Sequence, residues 1–579
     1  MHGYHGRQLR VDLTGRCAEV QPIDPRVLRQ FVGGVGLATY LLNALCPPGA
    51  DPLGPANPLI FAASPFIGTG ITTAAKLAVA TRSPQTGMIG DSLSSSYLAI
   101  SLKRTGHDAL VLLGRADEPT LLVVDDDRVR FEPADDLLGL DPAATAASVR
   151  ARLGADYRVA AIGRAGERGV RYASIVNDGR LAGRTGGGAV MGAKNLKAIA
   201  VRGSHATSVA DPAGLAAAAR DLAARSLGPA TAKYREVGTA ANVAFFDRVG
   251  ILPTRNFSSG RFEGAEAIGG ETLLLEHGAD KHACAACTVG CEHHYQTRDD
   301  KPSKKVRLEY ETLFALGSLC GVDDPNVVLR AAARCDELGM DAISTGATVA
   351  WAMECRQRDV GTGFDDELPA FGDGEALLRT IERIGTREGV GALLAEGSRR
   401  AAELVGGGSG DWAMHVKGLE MPGYDPRQLP TFALGLAVAA RGACHNRTTA
   451  YEVDLSDQLE PDATPLERAR AAAASEDRAA LMDSLTICKF LRGCFADFEA
   501  ETAALYEMVT GLETSADDLR AAGARIVAEK KLFNQRQGWT RADDTLPPRL
   551  RADVPDLDAM IEAYYQLRGW NPDGTVPDR

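Results

Sequence analysis

The chain has 579 residues, with 64 Lys and Arg against 76 Asp and Glu for a formal charge of −12. That length is several times one ordinary domain and leaves ample core to enclose a cofactor. The balance is mildly acidic and no basic stripe follows a phosphate backbone, which argues against nucleic-acid binding. The longest apolar stretches, 59–68 and 432–440, fall far short of the roughly 20 residues that a membrane span needs.

From the polar start MHGYHGRQLRVDLTG to residue 203, short β-branched runs such as LLVVDD, RVAAIG and KAIAVRG alternate with Gly-rich connections. This strand-and-turn pattern predicts a β-rich N-terminal domain over 1–203. After SHATSVADPAG, Ala, Leu, Arg and Glu recur at helical spacing, as in PAGLAAAARDLAARSL and VVLRAAARCDELGMDAISTGATVAWAMECRQ, so the remainder reads as mainly helical. A Gly-rich break at 405–410 divides it into helical domains over 204–410 and 411–579. The fold class is therefore α+β, and no repeat of solenoid period is visible. One short echo stands out: DELGMD at 336–341 and DSLTIC at 483–488 each give an acidic residue, a short turn, then Asp or Cys. Two such loops on two helical segments would grip the similar halves of a pseudo-symmetric ligand.

Eleven scattered cysteines with no apolar signal segment before them point to a reducing cytoplasm. Three of them, Cys284, Cys287 and Cys291, fall in CAACTVGC. The spacing C-x2-C-x3-C lets a tight turn set thiolates on neighbouring irons of a cubane cluster. A fourth thiolate is then required, and Cys488, at the end of the second echo, is the candidate, with Cys494 as competitor. His293 and His294 beside the trio leave a structural zinc site as the alternative. Cys17, Cys46, Cys335 and Cys355 carry no pattern and read as packing residues. GRTGGGAVMG fits neither GxGxxG nor the P-loop, and Asp336, Asp341 and Asp483 have the ordinary reading of helix caps.

In its ordered motifs the chain resembles the aldehyde ferredoxin oxidoreductase family, tungsten enzymes with two pyranopterin dithiolenes and one [4Fe–4S] cluster. The resemblance runs through FVGGVGLATYLL, DPLGPANPLIFAASPFIGTG, ATRSPQTGMIGDS, RLAGRTGGGAVMGAKNLKAIAVRG, the cysteine trio, LEYETLFALGSLCGVDD, DELGMDAISTG, RGACHNRT and DSLTIC. It implies a β-rich pterin-binding domain followed by two helical ones, with Cys284, Cys287, Cys291 and Cys488 on the cluster. Asp336 and Asp341 would hold one pterin, and Asp483 with the residues leading to Cys488 the other. Ala182, Gly183 and Arg184 would meet pterin phosphates and lend a backbone carbonyl to a bridging Mg2+, a role suited to glycine amides and an Arg fork. Two positions depart from the family pattern. Lys76 stands where an Arg is common, and the position of a Mg2+-binding Asn falls near Leu93, which cannot ligate.

The resemblance further implies a catalytic Glu from EYET and a catalytic His445. Spacing to DELGMD favours Glu311, with Glu309 second; both a base and a polar partner are needed when water adds to a carbonyl and electrons leave. Cys320 and Cys444 fall near the same place, and either could reach the metal as a soft ligand. The implied reaction is oxidation of an aldehyde to a carboxylic acid at tungsten, or less commonly molybdenum, with electrons leaving through the cluster to ferredoxin or a partner subunit. Homo-oligomers and complexes with iron–sulfur subunits both occur in such proteins. Two other readings stay open: a benzoyl-coenzyme A reductase type of subunit, which Cys320 on the metal would favour, and a cofactor-free structural homologue.

Overall fold

The computed structural model describes residues 1–298, 302–361, 363 and 367–577. The N-terminal part contains two six-stranded sheets. The first has β1 (Arg7–Asp12), β2 (Cys17–Pro22), β3 (Leu59–Ala62), β4 (Lys76–Arg82), β5 (Ile89–Ser95) and β6 (Ala109–Leu113), in the order β2-β1-β6-β3-β4-β5. The second has β7 (Thr120–Asp125), β8 (Arg128–Pro133), β9 (Arg158–Ala161), β10 (Ile175–Asn177), β11 (Arg180–Ala182) and β12 (Leu196–Arg202), in the order β8-β7-β12-β9-β10-β11.

The two orders match strand for strand. Each begins with an antiparallel hairpin, passes through one parallel pair (β1 with β6, β7 with β12), and continues antiparallel to the far edge. The N-terminal domain is thus a topological duplicate that no sequence repeat announced. Leu9, Val11, Phe61 and Val79 of the first sheet share a buried core with Ile162, Ile175, Ile199 and Val201 of the second half. The last strands of the two sheets, β5 and β11, lie against each other.

After residue 203 the chain is mainly helical, as expected. Helices Tyr310–Leu316, Pro325–Leu338 and Ala342–Gln357 pack together, and Pro465–Leu485, Ala516–Arg536 and Leu557–Arg568 form another group joined by Gly34–Leu45 from the N-terminal part. No helix among the described residues is long and apolar enough to cross a membrane. All eleven cysteines are free. Cys46, Cys335 and Cys355 are buried as packing residues, but Cys17 is exposed, because β2 is an edge strand whose side chains face solvent.

The DELGMD and DSLTIC echo is one local structure used twice. Asp336 lies in the last turn of helix Pro325–Leu338, which is closed by the left-handed Gly339, and Asp341 then caps helix Ala342–Gln357. Asp483 lies in the last turn of helix Pro465–Leu485, which is closed by the left-handed Thr486, and Cys488 then takes the position before the short turn Lys489–Cys494, without a side-chain capping bond. Of the three aspartates, Asp341 therefore does have the capping role, accepting from the amides of Ile343 and Ser344.

The second of these turns rests on the FVGGVG segment. Gly34 has φ +44°, and a Cβ there would lie 2.6 Å from the Asp483 carbonyl and 2.8 Å from that of Ser484. The Gly36 amide donates to Ser484 Oγ at 3.0 Å. Gly34→Ala should cost more than about 1 kcal/mol, seen as a lower thermal midpoint, whereas Gly410→Ala, with nothing within 4 Å of the new methyl, should leave it unchanged. Equal midpoints for the two variants would contradict this close approach.

Candidate active site

A cavity of about 490 Å3 opens where β4, β5 and the end of β11 meet the helical parts. Lys76, Gly183, Arg184, Cys284, Cys291, Glu309, Glu311, Asp336, Asp341, His445, Asp483 and Cys488 all line it, as does Cys444; Ala182, Cys287 and Cys320 do not. One chamber thus gathers side chains from all three predicted parts of the chain.

Glu311 enters from the first turn of helix Tyr310–Leu316. Its Oε2 accepts the Gly423 amide at 3.1 Å, and its Oε1 stands 3.1 Å from His445 Nδ1. That second approach is not aligned as a hydrogen bond, so both atoms remain buried and unsatisfied. Burial raises the Glu311 carboxyl to about 7. Burial, with Arg184, Arg441, Arg492 and Arg447 nearby, holds His445 well below its ordinary value, so the imidazole is neutral. Glu309 differs. It precedes the helix, is half exposed, and pairs with Arg307 at 3.0 Å.

The opposite wall is strongly charged. Arg447 bridges Asp91 Oδ2 at 2.6 Å and Asp483 Oδ2 at 2.9 Å, while Lys489 reaches Asp483 at 3.1 Å and Lys530 reaches Asp91 at 3.3 Å. Arg441 donates to the Asp91 carbonyl and, at 3.0 Å, to Cys444 Sγ. Burial pushes both carboxyls up, but the adjacent cations outweigh it and both lie below the usual range. At Cys444 burial is likewise overcome, by Arg441, Arg447 and Arg184, and the thiol falls below its ordinary value. Lys76, facing Asp483 across the cavity, makes no ion pair among the described residues. Four cations of the lining (Lys76, Arg441, Arg447, Lys489) stand with Asp483, while Asp91 and Lys530 lie behind them, and Arg441 Nε and Asp91 Oδ1 have no partner. Such a wall suits an anionic, hydrogen-bonding guest. Of this set, Asp91, Arg441, Arg447, Lys489 and Lys530 were not apparent in the sequence.

Arg184 is not a free fork. Its Nε donates to Asp341 at 3.2 Å, its Nη1 to the Ala443 carbonyl at 2.7 Å and its Nη2 to the Glu420 carbonyl at 2.7 Å. The guanidinium fastens the DELGMD loop to the segment before His445. The glycines beside it divide the same way. A Cβ on Gly186 or Gly188 would strike a backbone carbonyl at 2.0 or 2.4 Å, so these serve close packing, whereas Gly183 lines the cavity with no atom nearer than 3.7 Å.

The cysteines separate clearly. The Cys291 thiol is pushed up by burial and then by Cys488, Glu309, Cys284 and Cys287, and Cys287 is raised by burial with Cys488 and Cys284 among its neighbours. The trio and Cys488 therefore converge. Among the described residues no group of three or more Cys, His, Asp or Glu closes to the spacing of a single ion; thiolates on separate irons stand wider apart than four ligands on one zinc. Cys494 is buried and absent from the cavity. Cys320 is buried in the core, its Sγ directed at the carbonyls of Ala315 and Gly346 at 3.4 and 3.5 Å.

Comparison with known proteins agrees with this layout. The N-terminal domain of aldehyde ferredoxin oxidoreductase matches residues 8–203, and domains 2 and 3 of the same family match residues 217–579. The tungsten-containing aldehyde ferredoxin oxidoreductase of Thermococcus kodakarensis is 37% identical, covering 100% of this chain and 98% of its own length. That of Pyrococcus furiosus is 36% identical over the same shares. An aliphatic sulfonate oxidoreductase subunit of Pyrococcus furiosus is 27% identical, covering 99% of this chain and 96% of its own. The active-site complex of benzoyl coenzyme A reductase with 1,5-dienoyl-CoA shares the fold, with TM-score 0.86 at 24% identity, covering 99% of this chain and 96% of that one. The family models and these relatives define the class as an oxidoreductase. The chain belongs to the aldehyde ferredoxin oxidoreductase family.

The charged wall makes a prediction of its own. Arg447→Met leaves two buried carboxylates short of their shared partner and should cost about 3–5 kcal/mol, read as a lower thermal midpoint. Because Asp91 and Asp483 are held below their ordinary pKa, their pairing contributes fully above about pH 4 and is lost as pH falls below it through their depressed folded-state values. The variant should therefore show a flatter acid limb; an unchanged limb and midpoint would contradict the bridge.

Proposed function

We propose that this chain oxidises an aldehyde to a carboxylic acid at a tungsten bis-pyranopterin centre in the cytoplasm. Two electrons then leave through a [4Fe–4S] cluster to ferredoxin or an iron–sulfur partner subunit. The observation that carries the reading is the Glu311–His445 pair, two unsatisfied buried polar atoms 3.1 Å apart, in a cavity that also holds the cation wall and converging thiols. The relatives named above as tungsten-containing aldehyde ferredoxin oxidoreductases support it. Molybdenum in place of tungsten would leave every protein role unchanged.

The residues fit the cofactors. Lys76, Arg441, Arg447 and Lys489 offer cationic partners for pterin phosphates, Gly183 offers room, and Asp336 and Asp341 on one side and Asp483 on the other offer acceptors for pterin N–H groups. Ser92 and Ser95, in place of the side chain at Leu93, would supply oxygen to Mg2+, whereas Ala182 is buried in the sheet outside the cavity lining. Cys284, Cys287, Cys291 and Cys488 would hold the cluster. The division into 1–203, 204–410 and 411–579 belongs to this proposal, with the trio supplied by the second part and Cys488 by the third.

A tungsten centre held there would supply the two-electron oxidant for the carbonyl carbon. The overall change is aldehyde plus water giving carboxylic acid, two protons and two electrons. Glu311 receives a proton at Oε1, while the Gly423 amide keeps Oε2 in place. Neutral His445 orients the carbonyl by hydrogen bonding. Phe246, Tyr310, Tyr424 and Tyr451 pack with one another beside His445 and keep bulk water from the pair. Glu309, engaged by Arg307, is the weaker candidate for the base. Cys444, not Cys320, is the sulfur that this cavity presents beside the pair, and the burial of Cys320 outside it removes the feature that favoured a benzoyl-coenzyme A reductase type of reaction.

Anaerobic purification with metal analysis and aldehyde-dependent viologen reduction tests the reading; a chain with neither tungsten nor iron, or one active only on aromatic thioesters, would overturn it. In the wild type kcat/KM should rise with pH and level off above a midpoint near 7, since the base must be ionised. Glu311→Gln should lower it by about 10²–10⁴ and abolish that rise, while Glu309→Gln should keep it. Cys488→Ser should lose the cluster's spectrum and iron while retaining the fold, and full iron content in that variant would dismiss Cys488 as a ligand.

A further inference from the structure

The connection between β3 and β4 carries two buried threonines that the reaction does not use. Thr73 has φ +66°, in the left-handed region where a β-branched residue is a true outlier. Strain of this kind persists only where the surroundings fix it, and it gathers at functional sites.

The surroundings of Thr73 are the two cysteine loops. Its backbone N–H donates to the Ala286 carbonyl at 2.6 Å, inside the trio loop. Its Oγ1 accepts the Cys488 amide at 3.1 Å. Next to it, Thr72 Oγ1 lies 2.6 Å from Thr288 Oγ1 and accepts the Thr288 amide at 3.1 Å. On the Cys488 side a second strained threonine, Thr486 at φ +62°, meets Ser64 Oγ at 2.8 Å. A glycine at 73 would take the same backbone angle freely, but it would bring no hydroxyl. The strain is thus borne by the residue type that can bond both loops at once.

We propose that Thr73 is the positioning residue that sets Cys488 against the trio, so that retention and reduction potential of the cluster depend on its hydroxyl. The proposal rests on the cluster assignment made above. Hydrogen bonds and backbone placement around cluster thiolates set the potential and the hold on the iron. Thr73 also lies three residues before Lys76, so the same connection ties the cluster loops to the cation wall.

The test compares anaerobically purified full-length wild type, Thr73→Ser, Thr73→Val and Thr73→Gly. The readouts are iron content, the midpoint of the cluster's spectral transition in a redox titration, and the rate of iron loss to a chelator. Thr73→Ser should match the wild type. Thr73→Val should shift the midpoint and lose iron about 3–10 times faster, the size of effect that outer-shell partners have on metal binding or somewhat less. Thr73→Gly relieves the backbone and should keep its thermal midpoint while losing iron as Thr73→Val does, which separates the bond from the fold. Iron-replete wild type with an indifferent Thr73→Val overturns the proposal alone, and iron-free wild type overturns the cluster assignment with it.

Discussion

Arg447 sits between two carboxylates that reach it from positions 91 and 483, and this buried bridge is the constraint around which the site is built. Removing each ion from water costs several kcal/mol, which only mutual pairing and further hydrogen bonds can offset. Lys489 and Lys530 extend the pairing, yet the group still carries more positive than negative charge. An excess of buried cations is unstable without an anion to meet it. Such an excess of cations beside a cavity suits an anionic guest, the role proposed for it with pterin phosphates.

Around this wall the fold is built twice over. The paired sheets repeat one strand order, and their last strands, β5 and β11, meet beside the cavity. The helical parts then contribute one turn apiece of like design: an Asp in the last helical turn, a left-handed residue, and the residue that begins the next helical turn two positions later. Duplication in both layers suits a guest made of two similar halves. The copies differ at one place with chemical weight. That last position is Asp341 in one turn and Cys488 in the other, so only the second half is joined to the thiol group.

Much of this was legible in the chain, and the reason is locality. CAACTVGC, DELGMD and DSLTIC carry their geometry within six to eight residues, so turns, caps and convergent thiols follow from spacing. Glu311 and His445 were recognisable because their motifs resembled a known family, not because periodicity marked them. The charged wall was not legible. Asp91 lies in a strand whose neighbours read as ordinary serines, Lys530 lies on an amphipathic helix like many surface lysines, and their meeting at 3.3 Å depends on a tertiary contact between residues 439 apart. The duplicated sheet escaped for the same reason, since strand order lies in pairing and leaves no repeat in the residues. Arg184 was legible as a site residue but not in its role, because the acceptors that occupy its fork are the backbone carbonyls of Ala443 and Glu420.

The cavity also brings two kinds of group together. Glu311 and His445 stand beside packed aromatic rings, where burial raises the carboxyl and lowers the imidazole. The thiols lie on the other side of Glu309, which Arg307 holds at 3.0 Å. Arg307 is itself buried and feels Glu309, Asp336, Cys284 and Cys291 together. It therefore offsets the negative charge of the groups it feels directly, Glu309, Asp336 and the thiols. Glu309 and Arg307 thus join Asp336 and the thiols in one charge-balanced rim of the cavity that also holds Glu311 and His445.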